Sequence, residues 1–380
     1  MKLLYVSFEN AAELSSGVNK KIRNQMKVFR IAGYNVTLIA RYDNGIVQED
    51  ETSRQIISFG DEGKLSLRKK ICAYAADTKG KYDCCYIRFQ FFCPYVLRMV
   101  RRMHSTINHI LMEIPTYPYE AELLQQGIKG IPKLLCDRLY RYPTARYIDR
   151  FVVVLRSEPL YHKECIMIKN GVDIDMIKPI YGSRAGDTIH LLAVALMAPW
   201  HGYDRLIEGL ARYYAAGNTR KIMLHLVGDG AETWRYRQLV EKLQLQDDVL
   251  LHGKMSGEAL EQMYEHCDIG ISVLAGFRKK LARESNLKTV EYCAKGLPVI
   301  CTANDTAFDS DYPYKCYIPS DETPIDVNKI VQFYDNVYGS ESREAVARSI
   351  RNHAKYNYDI WVTFSPVITY LNLERENDEK

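Results

Sequence analysis

The residue types best suited to chemistry fall in one stretch, Glu284 to Ile300, which reads E-S-N-L-K-T-V-E-Y-C-A-K-G-L-P-V-I. Glu284, Ser285 and Asn286 suit a loop, the next residues suit a helix, and Gly296 followed by Pro298 stops that helix before the apolar strand Val299-Ile300-Cys301. A loop that opens a helix leaves backbone N–H groups unpaired at the positive end of the helix dipole, a setting that attracts an anion such as a phosphate. Lys288 in the first turn adds a full positive charge. Glu291, three residues on, shares its face, and a carboxylate one turn below an anion site can accept hydrogen bonds from ribose or sugar hydroxyls. The same residues also satisfy a plain capped helix with a surface Lys–Glu pair.

Further loops of this kind sit at the ends of apolar runs. They are Met197 to Gly202 with His201, Gly228-Asp229-Gly230, and Gly253-Lys254. His201 suits either a phosphate contact or the start of a helix. Gly228-Asp229-Gly230 follows a strand but lacks a glycine three positions after Gly230, so it is not the dinucleotide fingerprint, and no Walker lysine motif occurs. A nucleoside diphosphate group held by amides and Lys288 fits better than NAD or ATP. In the first half, Gly17 closes a polar loop after the first strand and would let backbone approach a ligand. Glu113 falls where the strand Ile107–Met112 runs into a proline-containing loop, a place for a catalytic or substrate-binding carboxylate and equally for a solvated acid. His225 lies inside a strand and suits a core position. No H-E-x-x-H, no D-x-D and no dense cluster of acids and histidines occurs, so neither a catalytic metal nor another cofactor is expected.

The elements that must position these residues alternate. Leu3–Phe8 reads as a strand, Val18–Ala32 as a helix with Val18, Ile22, Met26 and Phe29 on one face, and Asn35–Ala40 as a strand. This strand–loop–helix–strand unit opens a doubly wound parallel sheet, in which ligands bind at the carboxyl ends of the strands. From Ile189 to Ile300 the alternation is regular enough to predict a second such domain. The 380 residues, 47% hydrophobic and 26% charged, suit a soluble protein of two domains. Net charge +4 is too small to imply nucleic acid. The ten cysteines include no C-x-x-C pair and read as reduced core thiols of a cytosolic protein. The N-terminus reads as a first strand rather than a signal peptide, and no apolar run is long enough to span a membrane.

Four segments in order, I-K-N-G-V-D (Ile168–Asp173), H-G-Y-D-R-L-I-E-G-L (His201–Leu210), L-V-G-D-G (Leu226–Gly230) and S-N-L-K-T-V-E-Y-C-A-K-G-L-P-V-I (Ser285–Ile300), resemble the family 4 glycosyltransferases. The resemblance implies the GT-B fold, an α/β architecture of two Rossmann-like doubly wound domains facing a cleft, with a C-terminal helix around Trp361 crossing back to the first domain. It implies residues 1–180 as an acceptor-side domain, 181–355 as the nucleotide-sugar domain, and 356–380 as the returning helix and tail. It further implies that Glu291, the second acid of the E-x7-E signature, binds the donor ribose. Ser285, Asn286 and Leu287 would offer amides to the distal phosphate and sugar, Lys254 would follow the strand whose end reads the nucleobase, and Gly17 would lie near the donor phosphates and acceptor. The chain departs from the family at three places. The first acid of the signature falls on Arg283, with Glu284 one residue off, as in an S-x-L-K-x-x-E-Y variant. The family's phosphate-binding Arg and Lys fall on Leu196 and His201, which assigns the positive charge to His201, Lys288 or Arg205. The histidine at the first-domain strand end is replaced near Glu113.

The function this implies is metal-independent transfer of a hexosyl group, with retention, from a UDP- or GDP-sugar to a glycan or lipid-diphosphate acceptor in cell-surface polysaccharide synthesis. Glu113, His201 and Lys288 are the candidate catalytic residues. Gly17, Gly228, Lys254, Glu284 to Lys288 and Glu291 are the candidate donor-binding residues. The expected location is the cytoplasm, with the basic helix bearing Lys20, Lys21, Lys27 and Arg30 suited to the inner membrane face or a lipid-diphosphate. The alternatives are a non-catalytic sugar-nucleotide-binding protein and a nucleotide-sugar epimerase on the same fold.

Overall fold

Near-continuous apolar runs such as Leu3-Leu4-Tyr5-Val6 and Phe151-Val152-Val153-Val154 need cover on both faces, and parallel strands between two helical layers provide it. In the computed structural model both runs are inner strands of the first of two sheets. The structure describes residues 1–13, 16–60, 63–78, 80–124, 127–181, 186–279, 283–306, 308 and 311–378. The chain forms two units, Met1–Gly171 with Ile360–Lys380, and Val172–Asp359.

The first unit contains β1 (Lys2–Asn10), α1 (Gly17–Ile31), β2 (Asn35–Tyr42), β3 (Gly45–Glu49), β4 (Arg54–Ser58), α2 (Lys64–Ala76), β5 (Cys84–Arg88), α3 (Pro94–Met103), β6 (His109–Ile114), α4 (Glu120–Leu124), α5 (Gly130–Ala145), β7 (Arg150–Val154) and β8 (Cys165–Ile168). Its sheet runs β4-β3-β2-β1-β5-β6-β7-β8. All neighbouring pairs are parallel except β2–β3 and β3–β4, which form an antiparallel edge that the sequence reading did not contain. The stretch after Ser58 contains α2. The helix buries Leu67, Ile71, Cys72, Ala75 and Ala76, but Arg68 sits among them and interrupts the apolar stripe.

The second unit contains β9 (Ile189–Val194), α6 (Tyr203–Ala215), β10 (Ile222–Val227), α7 (Thr233–Lys242), β11 (Val249–Gly253), α8 (Gly257–His266), β12 (Ile269–Ile271), α9 (Leu287–Lys295), β13 (Val299–Thr302), β14 (Lys315–Ile318), α10 (Val327–Tyr338) and α11 (Arg343–Tyr358). Its sheet is parallel throughout, in the order β11-β10-β9-β12-β13-β14. The division falls at Gly171/Val172, ahead of the turn-rich segment after Pro179, because Val172, Ile174 and Ile180 are buried in the second unit's core. Residues 182–185 of that segment lie outside the described residues, as does Ser15 of the loop before Gly17. The final helix, α12 (Ile360–Asp378), is part of the first unit. There Phe364 packs edge-on against Phe29 and Tyr86, with ring centroids 5.2 and 5.7 Å away.

Candidate functional site

The start of α9 has no side-chain cap. Asn286 occupies the cap position with φ −89° and ψ 124°, but its side chain does not cap the helix. Its amide Nδ2 instead donates to Glu284 Oε2 (3.0 Å) and Asp305 Oδ2 (3.1 Å). Thr289 Oγ1 donates to the same Asp305 oxygen at 2.6 Å and lies 2.5 Å from Ser272 Oγ. This buried network draws the natural cap residue away from the helix, whose Thr289 and Val290 N–H groups turn back to the Asn286 carbonyl while those of Leu287 and Lys288 face the open helix start. The first turn holds no acid to oppose one. At the other end Gly296 takes φ 88°, and the Leu297 N–H returns to the Tyr292 carbonyl, the turn that stops the helix.

Four groups in this region invite a role as the counter-charge, and the structure separates them. Lys288 is partly buried, with Nζ 3.4 Å from the Tyr203 hydroxyl, and burial together with the nearby Lys279 pushes its pKa down to about 7. His201 cannot supply charge. It is buried beneath Tyr203, its Nδ1 accepts the Ala198 N–H at 3.1 Å, and burial with Lys288 and Lys279 pushes its pKa down to about 2. Arg205 is also committed. It is 2% exposed and donates to the carbonyls of Thr323 (2.8 Å), Leu274 and Pro319 (2.9 Å), so it ties loops together. Lys279, which the sequence reading missed, stands over the Trp200 ring at 4.7 Å and joins Lys288 as the second cation of the region. Only its proximity in space marks it out.

Glu284 turns inward while Arg283 is exposed. The Glu284 carboxylate occupies the space beside Gly276, where a Cβ would lie 1.4 Å from Oε1. That oxygen is buried and has no partner among the described residues, an acceptor left for something the chain does not provide. Glu291 is partly exposed one turn after Lys288, on the same helix. Gly228 has a packing role: at φ 126° its Cβ would meet the Ala195 carbonyl oxygen at 1.8 Å, so the glycine lets β10 end flush against the 195–198 loop. Lys254 is exposed just after β11.

In the first unit Gly17 is the first residue of α1, and the place of its missing Cβ is open, with no atom within 4 Å. Glu113, expected in a loop, is the fifth residue of β6 and fully buried. Its carboxylate accepts from Lys21 Nζ (2.8 Å), Arg88 Nη1 (3.0 Å), Gln25 Nε2 (3.0 Å) and Tyr86 Oη (3.0 Å). Burial alone would raise its pKa, but Lys21 and Arg88 overcome that and hold it down to about 2. All its acceptor sites are filled within the core, which makes it a structural hub and leaves no lone pair for a substrate.

A cavity of about 700 Å³ opens instead at the carboxyl ends of β1, β5 and β6. Its walls combine the rings of Phe8, Phe89, Phe91 and Tyr119 with Arg41, Lys64, Arg68 and Lys133. Arg68 is buried, lies over Phe8 (4.7 Å) and Phe91 (4.0 Å), and donates to Gln90. Its Nη1 has no acceptor among the described residues. A buried guanidinium nitrogen without a partner beside aromatic faces suits an anionic group carried on a ring or chain.

The family described as "Glycosyl transferases group 1" matches residues 188–331, which include the α9 start, Glu284, Lys288 and His201. No curated protein matches the chain in sequence. Among solved structures, sucrose-phosphate synthase from Thermosynechococcus elongatus aligns over all of both chains at 16% identity with a TM-score of 0.70. A glycosyltransferase from Rickettsia africae aligns over 99% of this chain and 98% of its own at 15% identity, TM-score 0.64. Anabaena HepE, solved in complex with UDP, aligns over 98% of this chain and 100% of its own at 14% identity, TM-score 0.66. The match lies within the second unit. The two parallel-sheet units together have the GT-B fold.

Proposed function

We propose that the protein is a retaining glycosyltransferase that moves a hexosyl group from a UDP- or GDP-sugar to a phosphate-bearing glycan or lipid acceptor in polysaccharide synthesis. The observation that carries this is the uncapped start of α9 with Lys288 beside it. The N–H groups there bind the donor diphosphate, Lys288 and Lys279 neutralise its charge, and Glu291 takes the ribose hydroxyls. Glu284 fills the role of the displaced first acid: its unpartnered Oε1 accepts a hydroxyl of the donor sugar. In the transfer step the bond from the anomeric carbon to the diphosphate breaks. The acceptor oxygen bonds to that carbon on the same face, and the acceptor's proton passes to the leaving phosphate oxygen. Stabilising that diphosphate is the chief catalytic task, and the two lysines and the helix dipole perform it without a dedicated base.

The cavity in the first unit supports the acceptor reading, with its aromatic walls for a ring or chain and Arg68, Arg41, Lys64 and Lys133 for a phosphate. Membrane contact belongs to α5 rather than α1. On α1, Lys21 is buried against Glu113, and Arg30 pairs with Glu51 at 3.3 Å. On α5, Ile131, Leu135, Leu139 and Tyr142 form an exposed stripe at helical spacing, while Leu134, Asp137 and Thr144 face inward. Arg138 and Arg146 are exposed near the stripe, and residues 127–146 hold five basic residues against one acid, which is buried. That combination matches the surface of an anionic bilayer. Among the described residues no helix is long and apolar enough to cross a membrane.

The test is a donor screen in which UDP- and GDP-sugars are offered with lipid-diphosphate and glycan acceptors and product stereochemistry is read by NMR. Transfer with an α-linked donor giving an α-linked product supports the proposal. Donor binding with no turnover for any pair would favour a non-catalytic sugar-nucleotide-binding protein.

A further inference from the structure

Three histidines far apart in the sequence meet on one face of the second sheet. In the parallel register Met223 of β10 lies opposite His190 of β9, and His225 lies opposite Leu250 of β11. Side chains two residues apart share a face, so His190, His225 and His252 run diagonally across the three strands. Their rings stack at 13° and 15° with centroids 5.1 and 5.2 Å apart. His190 Nδ1 lies 2.9 Å from His225 Nε2, and His225 Nδ1 lies 3.0 Å from His252 Nε2. His266, at the end of α8, meets His190 edge-on with centroids 4.4 Å apart. Its place is set two residues later, where Asp268 accepts the His190 N–H (2.8 Å) and returns its own N–H to the His190 carbonyl (2.8 Å). His190 stands at the start of β9, and the loop bearing His201 follows that strand's other end.

We infer that His190, His225 and His266 form a binding site for a first-row divalent transition-metal ion of the zinc class. One ring nitrogen from each lies within 4.8 Å of the others. His225 Nε2 and His190 Nδ1 lie at hydrogen-bond distance, and an ion of this class would displace the proton between them, His190 then carrying its proton on Nε2 and staying neutral. Zinc–nitrogen bonds of about 2.0–2.1 Å set tetrahedral ligands roughly 3.3 Å apart, so the pair opens by a few tenths of an ångström while the exposed His266 side chain closes in from within 4.8 Å. His225 then keeps its proton on Nδ1 and donates it to His252 Nε2, the outer hydrogen bond that fixes a ligand's tautomer. His266 is exposed, which leaves a fourth position for water. Neutral imidazoles favour zinc, nickel or copper over magnesium or calcium. Bound there, the ion ties β9, β10 and α8 together; it has no part in the transfer step.

The test is titration of the metal-free full chain with Zn²⁺ by competition against a chromophoric chelator, and with Co²⁺ by absorption. The expected result is one equivalent bound, visible bands of a four-coordinate Co²⁺, and a higher melting temperature. His266→Ala, a surface change that leaves the fold intact, should weaken binding at least tenfold, and His252→Gln, a positioning change, should weaken it about 10–100-fold. Binding should weaken as acid protonates the imidazoles, which must be neutral to bind an ion. Equal Zn²⁺ affinity in wild type and His266→Ala, or a Co²⁺ spectrum that remains that of the aqueous ion, would overturn the site and leave the row as packed neutral imidazoles.

Discussion

Lys288 and Glu113 are both ionisable groups withdrawn from water, and they differ in what surrounds them. Around Lys288, burial and the repulsion of Lys279 outweigh the attraction of Glu291 and Glu284 and depress its pKa to about 7. An arriving diphosphate raises it again. Above pH 7 the free protein must therefore take up a proton to bind, and affinity for a nucleotide sugar should fall as pH rises past 7. Calorimetry at pH 8 in buffers of different ionisation enthalpy checks this: proton uptake is expected in wild type and none in Lys288→Ala. That variant, and Glu291→Ala, should each lose at least about tenfold in donor affinity or turnover, about 1.4 kcal/mol. Glu113 has two cations and two neutral donors around it. Glu113→Ala leaves Lys21 and Arg88 buried without their partner and should cost roughly 3–5 kcal/mol in a urea melt. Loss of turnover at unchanged stability would instead return Glu113 to the catalytic list.

At the scale of elements, the proposed membrane contact rests on α5 and not on the basic helix α1. The periodic pattern placed α1 correctly, but its lysines and arginines are partly consumed by Glu113, Glu49 and Glu51. The apolar stripe of α5 was hidden because an amphipathic helix is normally read with its apolar side inward, and here part of that side faces solvent. Flotation with vesicles rich in anionic lipid should recover the wild type. Leu135→Glu with Leu139→Glu should abolish recovery, while Lys20→Glu should leave it unchanged; loss of recovery with Lys20→Glu alone would move the contact back to α1. The start of α1 allows a different test. Because the fold leaves open space at Gly17, Gly17→Leu should change stability by no more than about 0.5 kcal/mol. A fall in kcat/KM with that stability kept would place a ligand over the helix start, and unchanged kinetics would remove Gly17 from the site.

For the molecule as a whole, two units with separate cores have separate sensitivities. A nucleotide that binds the second unit stabilises it by mass action, about 2.7 kcal/mol at one hundred times Kd. Calorimetry with excess UDP or GDP should raise one transition and so report which nucleotide is used. Acid acts on the first unit. The Glu113 carboxylate is held at about 2 against an ordinary 4.5, so the stability it contributes is complete above pH 4.5 and is lost as pH falls towards 2. Hydrogen exchange between pH 5 and 2.5 should show the β6 amides losing protection over that window.

The alternation of strands and helices, and the helix start at Leu287 with its stop at Gly296, were legible in the sequence because they rest on local periodicity and on single residues with strong backbone preferences. The placement of Lys288 and Glu291 three residues apart on one helix was legible for the same reason. Everything that depended on which groups meet across the sheets was not. The sequence could not show that Glu113 is enclosed by Lys21 and Arg88, that His201 stays neutral under Lys288 and Lys279, or that Glu284 turns inward against Gly276. Nor could it gather His190, His225 and His266, which lie on two strands and a helix. Charge state and hydrogen-bond satisfaction are set by burial and by partners distant in sequence, and only the tertiary structure supplies both.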